Sequence, residues 1–248
     1  MNGRNAAILL AAGKGKRMQS DLPKVLHPIG TKPIIRILLD RLIPLGFEQI
    51  VVVIGHQGEM VQEALASYPV SFAWQREQLG TAHAVAQARD MLIDFDGTTM
   101  IAAGDVPFLS INSIRELLRG HHDAKAAATC LSARFDDPTG YGRIIRDKSG
   151  KFLSEIVEEK DANPEQKKIT EVNSGTFCFD NRRLFDVIDK IGNSNAQGEY
   201  YLTDAVALLN KQGNRVAIVE AENPNEVLGV NSPEQLQELA EIFSHLVV

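Results

Sequence analysis

Short runs that are apolar at every position, separated by stretches with helical spacing, restrict this chain more than any other feature. Residues 6–11 (AAILLA) and 50–54 (IVVVI) have no polar face at all. A strand of that kind must be covered on both sides, as parallel sheets with helical crossovers allow. Residues 70–74 and 99–103 (TMIAA) read as two more strands of the set. Helical patterns lie between them. Residues 33–46 place Pro33 in a first turn ahead of Ile37, Leu38, Arg41 and Leu42; residues 59–67 put Met60, Val61, Ala64 and Leu65 on one face; and 81–92 is alanine-rich.

From residue 124 the texture changes. Residues 126–133 (AAATCLSA) read as a strand, and 141–146 with 151–158 as a ribbon turned at Asp147-Lys148-Ser149-Gly150. A strand at 172–179, short strands at 216–219 and 227–229, and helices at 182–191, 201–211 and 233–243 follow. The fold class expected is α/β: a Rossmann-like, mixed but mostly parallel sheet flanked by helices, with a smaller antiparallel β lobe. No Pro/Gly/Ser linker divides the 248 residues, so one domain is expected over 1–248.

Composition removes several functional classes. At 44% hydrophobic and 23% charged the makeup is that of an ordinary globular protein, and a net charge of −6 lacks the basic footprint of a general nucleic-acid binder. The longest apolar run, residues 6–12, is far shorter than the ~20 residues that span a bilayer, and the order of features in a cleavable leader is missing. Cys130 and Cys178 sit in β-prone apolar surroundings without ligand spacing. They read as buried free thiols, and a cytoplasmic location is expected.

The richest segment follows the first strand: Leu10-Ala-Ala-Gly13-Lys-Gly15-Lys-Arg17-Met, continuing to Leu22-Pro23-Lys24. A Walker A loop would need glycine where Leu10 stands and Ser or Thr where Arg17 stands; a dinucleotide fingerprint would need glycine at Met18. What the loop does offer is small residues that let backbone N–H groups approach a base or phosphate, beside a cationic cluster. Lys14, Lys16, Arg17 and Lys24 against Asp21 make a local +3 in an acidic chain. Such a reversal suits one polyphosphate, whose charge Arg and Lys can neutralise.

Read further, LAAGKGKRM followed by SDLPKVLH resembles the signature of the sugar-1-phosphate nucleotidyltransferases, in particular the N-acetylglucosamine-1-phosphate uridyltransferases. Further segments agree in order: Gln78-Leu-Gly80-Thr81-Ala-His-Ala-Val, Gly104-Asp105-Val-Pro, Asp137-Pro-Thr-Gly140-Tyr-Gly142-Arg-Ile, Val157-Glu158-Glu-Lys160-Asp161-Ala, Glu171-Val-Asn173-Ser-Gly175, Gln197-Gly198-Glu199-Tyr-Tyr-Leu-Thr203-Asp204 and Glu226-Val-Leu-Gly229-Val-Asn231. The resemblance spans nearly the whole chain. It implies a nucleotide-binding half at about 1–123, a sugar-binding half and lobe at about 124–231, and a closing helix at 232–248.

It also implies a reaction: a sugar-1-phosphate oxygen attacks the α-phosphorus of UTP with Mg²⁺ as cofactor, giving UDP-N-acetylglucosamine and pyrophosphate. Arg17 and Lys24 are the expected catalytic cations, Arg17 on the β- and γ-phosphates and Lys24 on the sugar phosphate or α-phosphate. Asp105 and Asn231 are the expected Mg²⁺ ligands. Leu10, Ala11, Ala12 and Gly13 would read uracil and ribose through the backbone, with Gln75 and Gly80-Thr81 closing on the base and Ala103-Gly104 at the strand end. Gly142, Glu158 and Asn173 match the hexose-binding positions, with Tyr201 and Thr203 behind them. Bland readings stand beside these. Asp105 or Asn231 can cap a helix, residues 140–142 can be a plain turn, Glu158 can belong to a charged edge strand, and Gln75 can be a polar residue at a strand end.

Two residues depart from the family pattern: Ala103 replaces an aromatic, and Lys16 stands where the loop usually has Thr. Bifunctional members of the family continue into a trimeric acetyltransferase β-helix, so for this chain the expectation is the uridyltransferase unit alone, as a monomer or weak dimer. His121-His122 read as a solvated helix end, and His27, His56, His83 and His245 lack ligand spacing. Met18, Met60, Met91 and Met100 read as core. Rival readings are a nucleotidyltransferase for another base or sugar-1-phosphate, and a catalytically silent nucleotide-sugar binder. Arg17, Lys24, Asp105 and Asn231 together argue against the second.

Overall fold

The structure, a computed structural model, describes residues 3–244. In chain order it comprises β1 (Asn5–Ala11), a loop with two 3₁₀ turns, the small hairpin β2 (Pro28–Ile29) and β3 (Lys32–Pro33), α1 (Ile34–Leu42), β4 (Gln49–Ile54), α2 (Gly58–Ala64), β5 (Ser71–Trp74), α3 (Thr81–Ala86), α4 (Arg89–Leu92) and β6 (Thr98–Ala103). Then come α5 (Ile111–Ala124), β7 (Ala128–Arg134), β8 (Arg143–Arg146), β9 (Leu153–Val157), α6 (Pro164–Lys167), β10 (Glu171–Asp180), α7 (Asn181–Ile188), α8 (Asp204–Lys211), β11 (Val216–Glu220) and α9 (Pro233–Ile242).

The main sheet runs β11-β7-β10-β6-β1-β4-β5, with β8 and β9 extending from β10. Strands β6, β1, β4 and β5 pair in parallel, as their apolar sequences require. β10 runs antiparallel to both β6 and β7, while β11 returns parallel to β7. The antiparallel ribbon is therefore continuous with the main sheet through β10. The strand order reverses beside β1, whose chain successors lie on both sides of it, and that is where open α/β sheets place ligands.

Both faces of β1 are buried, and alternate residues feed different cores. Ala6 and Ile8 belong to a core cluster with Ala82, Val85 and Leu92 of α3–α4 and Leu184, Val206 and Leu209 of α7–α8. Ala7 and Leu9 belong to a second cluster with Ile35, Leu38 and Leu42 of α1, Val61 of α2, and Ile114 and Leu117 of α5. A third cluster joins Met18, Ile29, Ile34 and Phe108 to Val230, Leu239 and Phe243, so α9 packs over the loop after β1. The Phe108 and Phe243 rings stack at 4.1 Å there.

Several expectations are corrected. The pattern over 81–92 breaks into α3 and α4, and residues 227–229 form no strand: Val227 ends a 3₁₀ turn at Pro224–Val227 and Leu228 caps it. Met60 and Met91 are exposed, whereas Met18 and Met100 are core. His121 is buried rather than solvated, its Nδ1 2.9 Å from Thr129 Oγ1. Both cysteines are buried and free. His245 lies outside the described residues. Among those described, no helix is long and apolar enough to cross a membrane.

Candidate active site

A cavity of about 480 Å³ opens at the carboxyl ends of β1, β5 and β6, lined by Leu10, Ala11, Ala12, Gly13, Lys14, Lys16, Lys24, Gln75, Gly80, Thr81, Ala103 and Asp105. Its walls are built by close backbone contact. The Gly104 N–H donates to the Leu10 carbonyl at 2.9 Å, and the Gln75 N–H to the Ile54 carbonyl at 2.8 Å. At Gly55 a Cβ would stand 2.8 Å from the Ala12 carbonyl oxygen, so only glycine lets the loop settle there. Gly15, with φ 57, turns the chain so that its Cα lies against Lys24.

The wall formed by residues 75–82 is sewn to a distant segment. Tyr200 donates its N–H to the Leu79 carbonyl at 2.8 Å, Ala82 donates to the Tyr200 carbonyl at 2.9 Å, and Leu202 donates to Thr81 Oγ1 at 2.9 Å. Gly80 has φ +121, and a Cβ there would lie 2.5 Å from the Tyr200 carbonyl oxygen. Gln75 is nearly fully buried, and its Nε2 donates to the Gly80 carbonyl at 3.0 Å. It is therefore more than a polar residue at a strand end.

At the other end Lys24 joins the two residues expected to bind metal. Its ammonium forms an ion pair with Asp105 and donates to Asn231 Oδ1 at 3.0 Å. The Val230 N–H donates to the Asp105 carbonyl at 2.9 Å, which fixes the Asn231 segment beside β6. Neither residue caps a helix. Ser110 caps α5 and Ser232 caps α9. Arg17 does not line the larger cavity. It lies at an adjoining recess of about 160 Å³ shared with Gly15, Lys16, Lys24 and Asn231.

Gly142, Glu158 and Asn173 come together on the β8–β9–β10 side. A Cβ at Gly142 would sit 3.3 and 3.4 Å from the Glu158 carboxylate oxygens, and the Asn173 N–H donates to the Gly142 carbonyl at 2.9 Å. Asn173 Oδ1 accepts from the Gly175 N–H at 2.9 Å, at a bulge where Gly175 takes φ 77. Glu158 directly follows the edge strand β9 and is half-buried. Burial holds its carboxyl above the usual range despite a 3.0 Å bond from Thr203 Oγ1, and Asp204 and Asp161 push the same way. The Tyr201 hydroxyl, pushed up to about 12 chiefly by burial, has no partner among the described residues.

The two groups of residues adjoin. Tyr141, one residue before Gly142, is raised by burial and by the charge of Asp105. Glu199, at the cavity rim, begins the segment that ends at Thr203 on Glu158.

Three further residues shape the site. Buried Arg143 donates to the Tyr141 carbonyl and lies 2.7 Å from Glu159, holding the turn before β8. Buried Glu226 accepts from the Ser110 N–H at 3.0 Å and from the Ser113 hydroxyl. His83 lies against Gln75. Each falls within or beside a motif in the sequence, but nothing local signals its burial. A larger cavity, about 980 Å³, lies at the opposite ends of β1 and β6, where Arg4 and Arg119 are already paired with Glu48 and Glu116.

Fold and site together define a nucleotide-handling α/β enzyme, and residues 6–223 match the nucleotidyl transferase family. The chain belongs to that family. It is 47% identical over 225 residues to the bifunctional protein GlmU of Bacillus cereus strain AH187, and equally so to that of Bacillus thuringiensis strain Al Hakam. Each alignment covers 91% of this chain and 49% of the relative, so the chain spans about half the length of these proteins.

Proposed function

We propose that this protein transfers the uridylyl group of UTP to N-acetylglucosamine-1-phosphate. A phosphate oxygen of the sugar forms a bond to the α-phosphorus, the bond to the bridging oxygen breaks in line, and pyrophosphate leaves. The observation that carries this reading is the convergence of Lys24, Asp105 and Asn231 between a base-sized recess and the Gly142-Glu158-Asn173 cluster. The partition into a nucleotide half, a sugar half and a closing helix belongs to the same reading.

Positioning and charge neutralisation provide most of the catalysis in such transfers. Lys24 carries the charge of the α-phosphate or sugar phosphate, and Arg17 with Lys16 that of the departing pyrophosphate. The Leu10–Gly13 backbone holds uracil and ribose. With its Nε2 engaged, Gln75 has Oε1 left as an acceptor for the uracil N3–H, while the Gly80 N–H serves O4. Cytosine reverses both donor and acceptor. On the sugar side Glu158 accepts hydroxyl hydrogens, the Gly142 N–H and the Asn173 amide hold the remaining polar groups, and Tyr201 is a buried donor still to be satisfied. Buried groups left unpaired by a wrong sugar reject it.

Asp105 and Asn231 suit Mg²⁺. They are hard oxygen donors that already share one cation, the Lys24 ammonium. Among the described residues no cluster of three or more His, Cys, Asp or Glu side chains forms a metal site. A hexacoordinate ion would therefore be completed by water and substrate oxygens, as Mg²⁺ usually is. When bound, the ion neutralises charge on the transferring phosphate.

Pyrophosphate release measured with UTP, CTP and GTP against several sugar-1-phosphates tests the reading. Turnover is expected for UTP with N-acetylglucosamine-1-phosphate. Inertness of that pair while another turns over would overturn the substrate assignment.

A further inference from the structure

The Gln75 side chain is held at two points. Its amide nitrogen donates one hydrogen to the Gly80 carbonyl and faces His83 Nδ1, both at 3.0 Å. A primary amide nitrogen has two hydrogens, so these contacts exhaust it. Among the described residues Gln75 Oε1 receives no hydrogen bond, and Gln75 lines the 480 Å³ cavity.

We propose that His83 is a specificity-positioning residue: with Nδ1 as acceptor it locks the Gln75 amide with oxygen toward the nucleotide base. This rests on the base-binding reading above. The orientation matters because the two ends of a glutamine amide have the same shape and opposite polarity. Oxygen outward reads a base N–H; nitrogen outward reads a base lone pair.

The Gly80 carbonyl favours the same orientation, but it engages only one of the two hydrogens. Without an acceptor at position 83, the second hydrogen is left unpaired in a buried site, which carries a desolvation penalty. The preference for oxygen outward then weakens. His83 is itself held by its surroundings. It lies in α3, where the Gln87 amide nitrogen donates to the His83 carbonyl at 3.0 Å; with Nδ1 accepting, Nε2 carries the ring hydrogen, and the same amide nitrogen 3.3 Å away is a packing contact rather than a hydrogen bond. His83 lines a recess of about 260 Å³ with Leu79, Ala86, Asp189 and Ile191 and does not line the nucleotide cavity. It therefore reaches Gln75 from behind and would touch no substrate atom.

The test is the ratio of kcat/KM for UTP to that for CTP, with N-acetylglucosamine-1-phosphate fixed, in wild type, His83→Ala and His83→Asn. The Asn amide oxygen can take the place of Nδ1. The ratio should fall about tenfold in His83→Ala, chiefly through KM for UTP, with kcat at saturating UTP retained and the thermal melt still cooperative. His83→Asn should restore most of it. A wild-type ratio in folded His83→Ala, or equal losses for both nucleotides, would overturn the role of His83. Failure of the base-binding reading looks different: the wild type would then show no preference for UTP, or Gln75→Ala would leave the ratio untouched.

Discussion

The Lys24 ammonium donates to Asn231 Oδ1 at 3.0 Å across 207 residues of sequence, and the same ammonium pairs with Asp105. One cation thus gathers the loop after β1, the end of β6 and the segment before α9. The side chains of Lys24 and Asp105 are only 17% and 14% exposed, so the carboxylate is screened weakly if its partner is lost. Asp105→Ala should lower Mg²⁺-dependent turnover at least a hundredfold while the circular dichroism spectrum is unchanged. Near-normal turnover at low Mg²⁺ would remove Asp105 from the metal site.

Arg17 lies in the recess beside Lys24 and Asn231 rather than in the larger cavity. A group placed on the leaving pyrophosphate acts mainly where charge develops. Arg17→Ala should therefore depress kcat by about 10²–10³ with a smaller rise in KM for UTP. A rise in KM with unchanged kcat would reduce Arg17 to an anchor.

Glu158 pays a folding penalty for its site. Burial raises its carboxyl pKa in the folded protein, so the residue favours folding when protonated and opposes it as pH climbs through the folded value. Glu158→Gln should therefore gain stability relative to wild type between pH 5 and pH 7, and lose that gain near pH 4. Its kcat/KM for the sugar phosphate should fall at least tenfold. Urea titrations across that range check the sign, and a gain that grew on acidification would contradict it.

His121 has the opposite dependence. Burial beside Thr129 lowers its pKa to about 4, so the neutral imidazole supports the fold above the ordinary histidine value near 6.5, and that support is lost as pH falls toward 4. Full loss corresponds to about 3 kcal/mol. His121→Gln should flatten the decline in stability between pH 6.5 and 4, read from urea midpoints. A decline equal to that of wild type would place the acid-sensitive group elsewhere.

Gly80→Ala tests the stitch between the wall proposed to bind the base and Tyr200. The new Cβ would meet the Tyr200 carbonyl oxygen at 2.5 Å in a backbone conformation strained for any side chain. A stability loss of about 1–3 kcal/mol is expected, with KM for UTP rising more than KM for the sugar phosphate. Equal effects on the two substrates would separate this wall from the base.

Much was legible in the residues alone. AAILLA and IVVVI become the parallel strands β1 and β4 because a strand with no polar face is stable only when covered on both sides. The loop from Leu10 to Lys24 is legible as a cationic, glycine-bearing turn because its glycines and cations act locally, and it lines the cavity and its adjoining recess. Other expectations failed for lack of neighbours. Nothing in His121-His122 says which ring turns inward, nor in the 81–92 pattern where α3 gives way to α4.

The sequence by itself therefore determined the parallel strands β1, β4, β5 and β6, the cationic loop and the family to which the chain belongs, since each is read from short segments of the chain. Tertiary structure alone decided that Asn231 meets Lys24 and Asp105, that Glu158 is half-buried against Thr203, and that His83 lies against Gln75. The first depends on the Val230 bond to Asp105 and on α9 packing over Phe108, contacts more than a hundred residues apart in the chain. Charge, burial and hydrogen-bond partners at such meeting points are set by backbone register and side-chain packing, which no local spacing encodes.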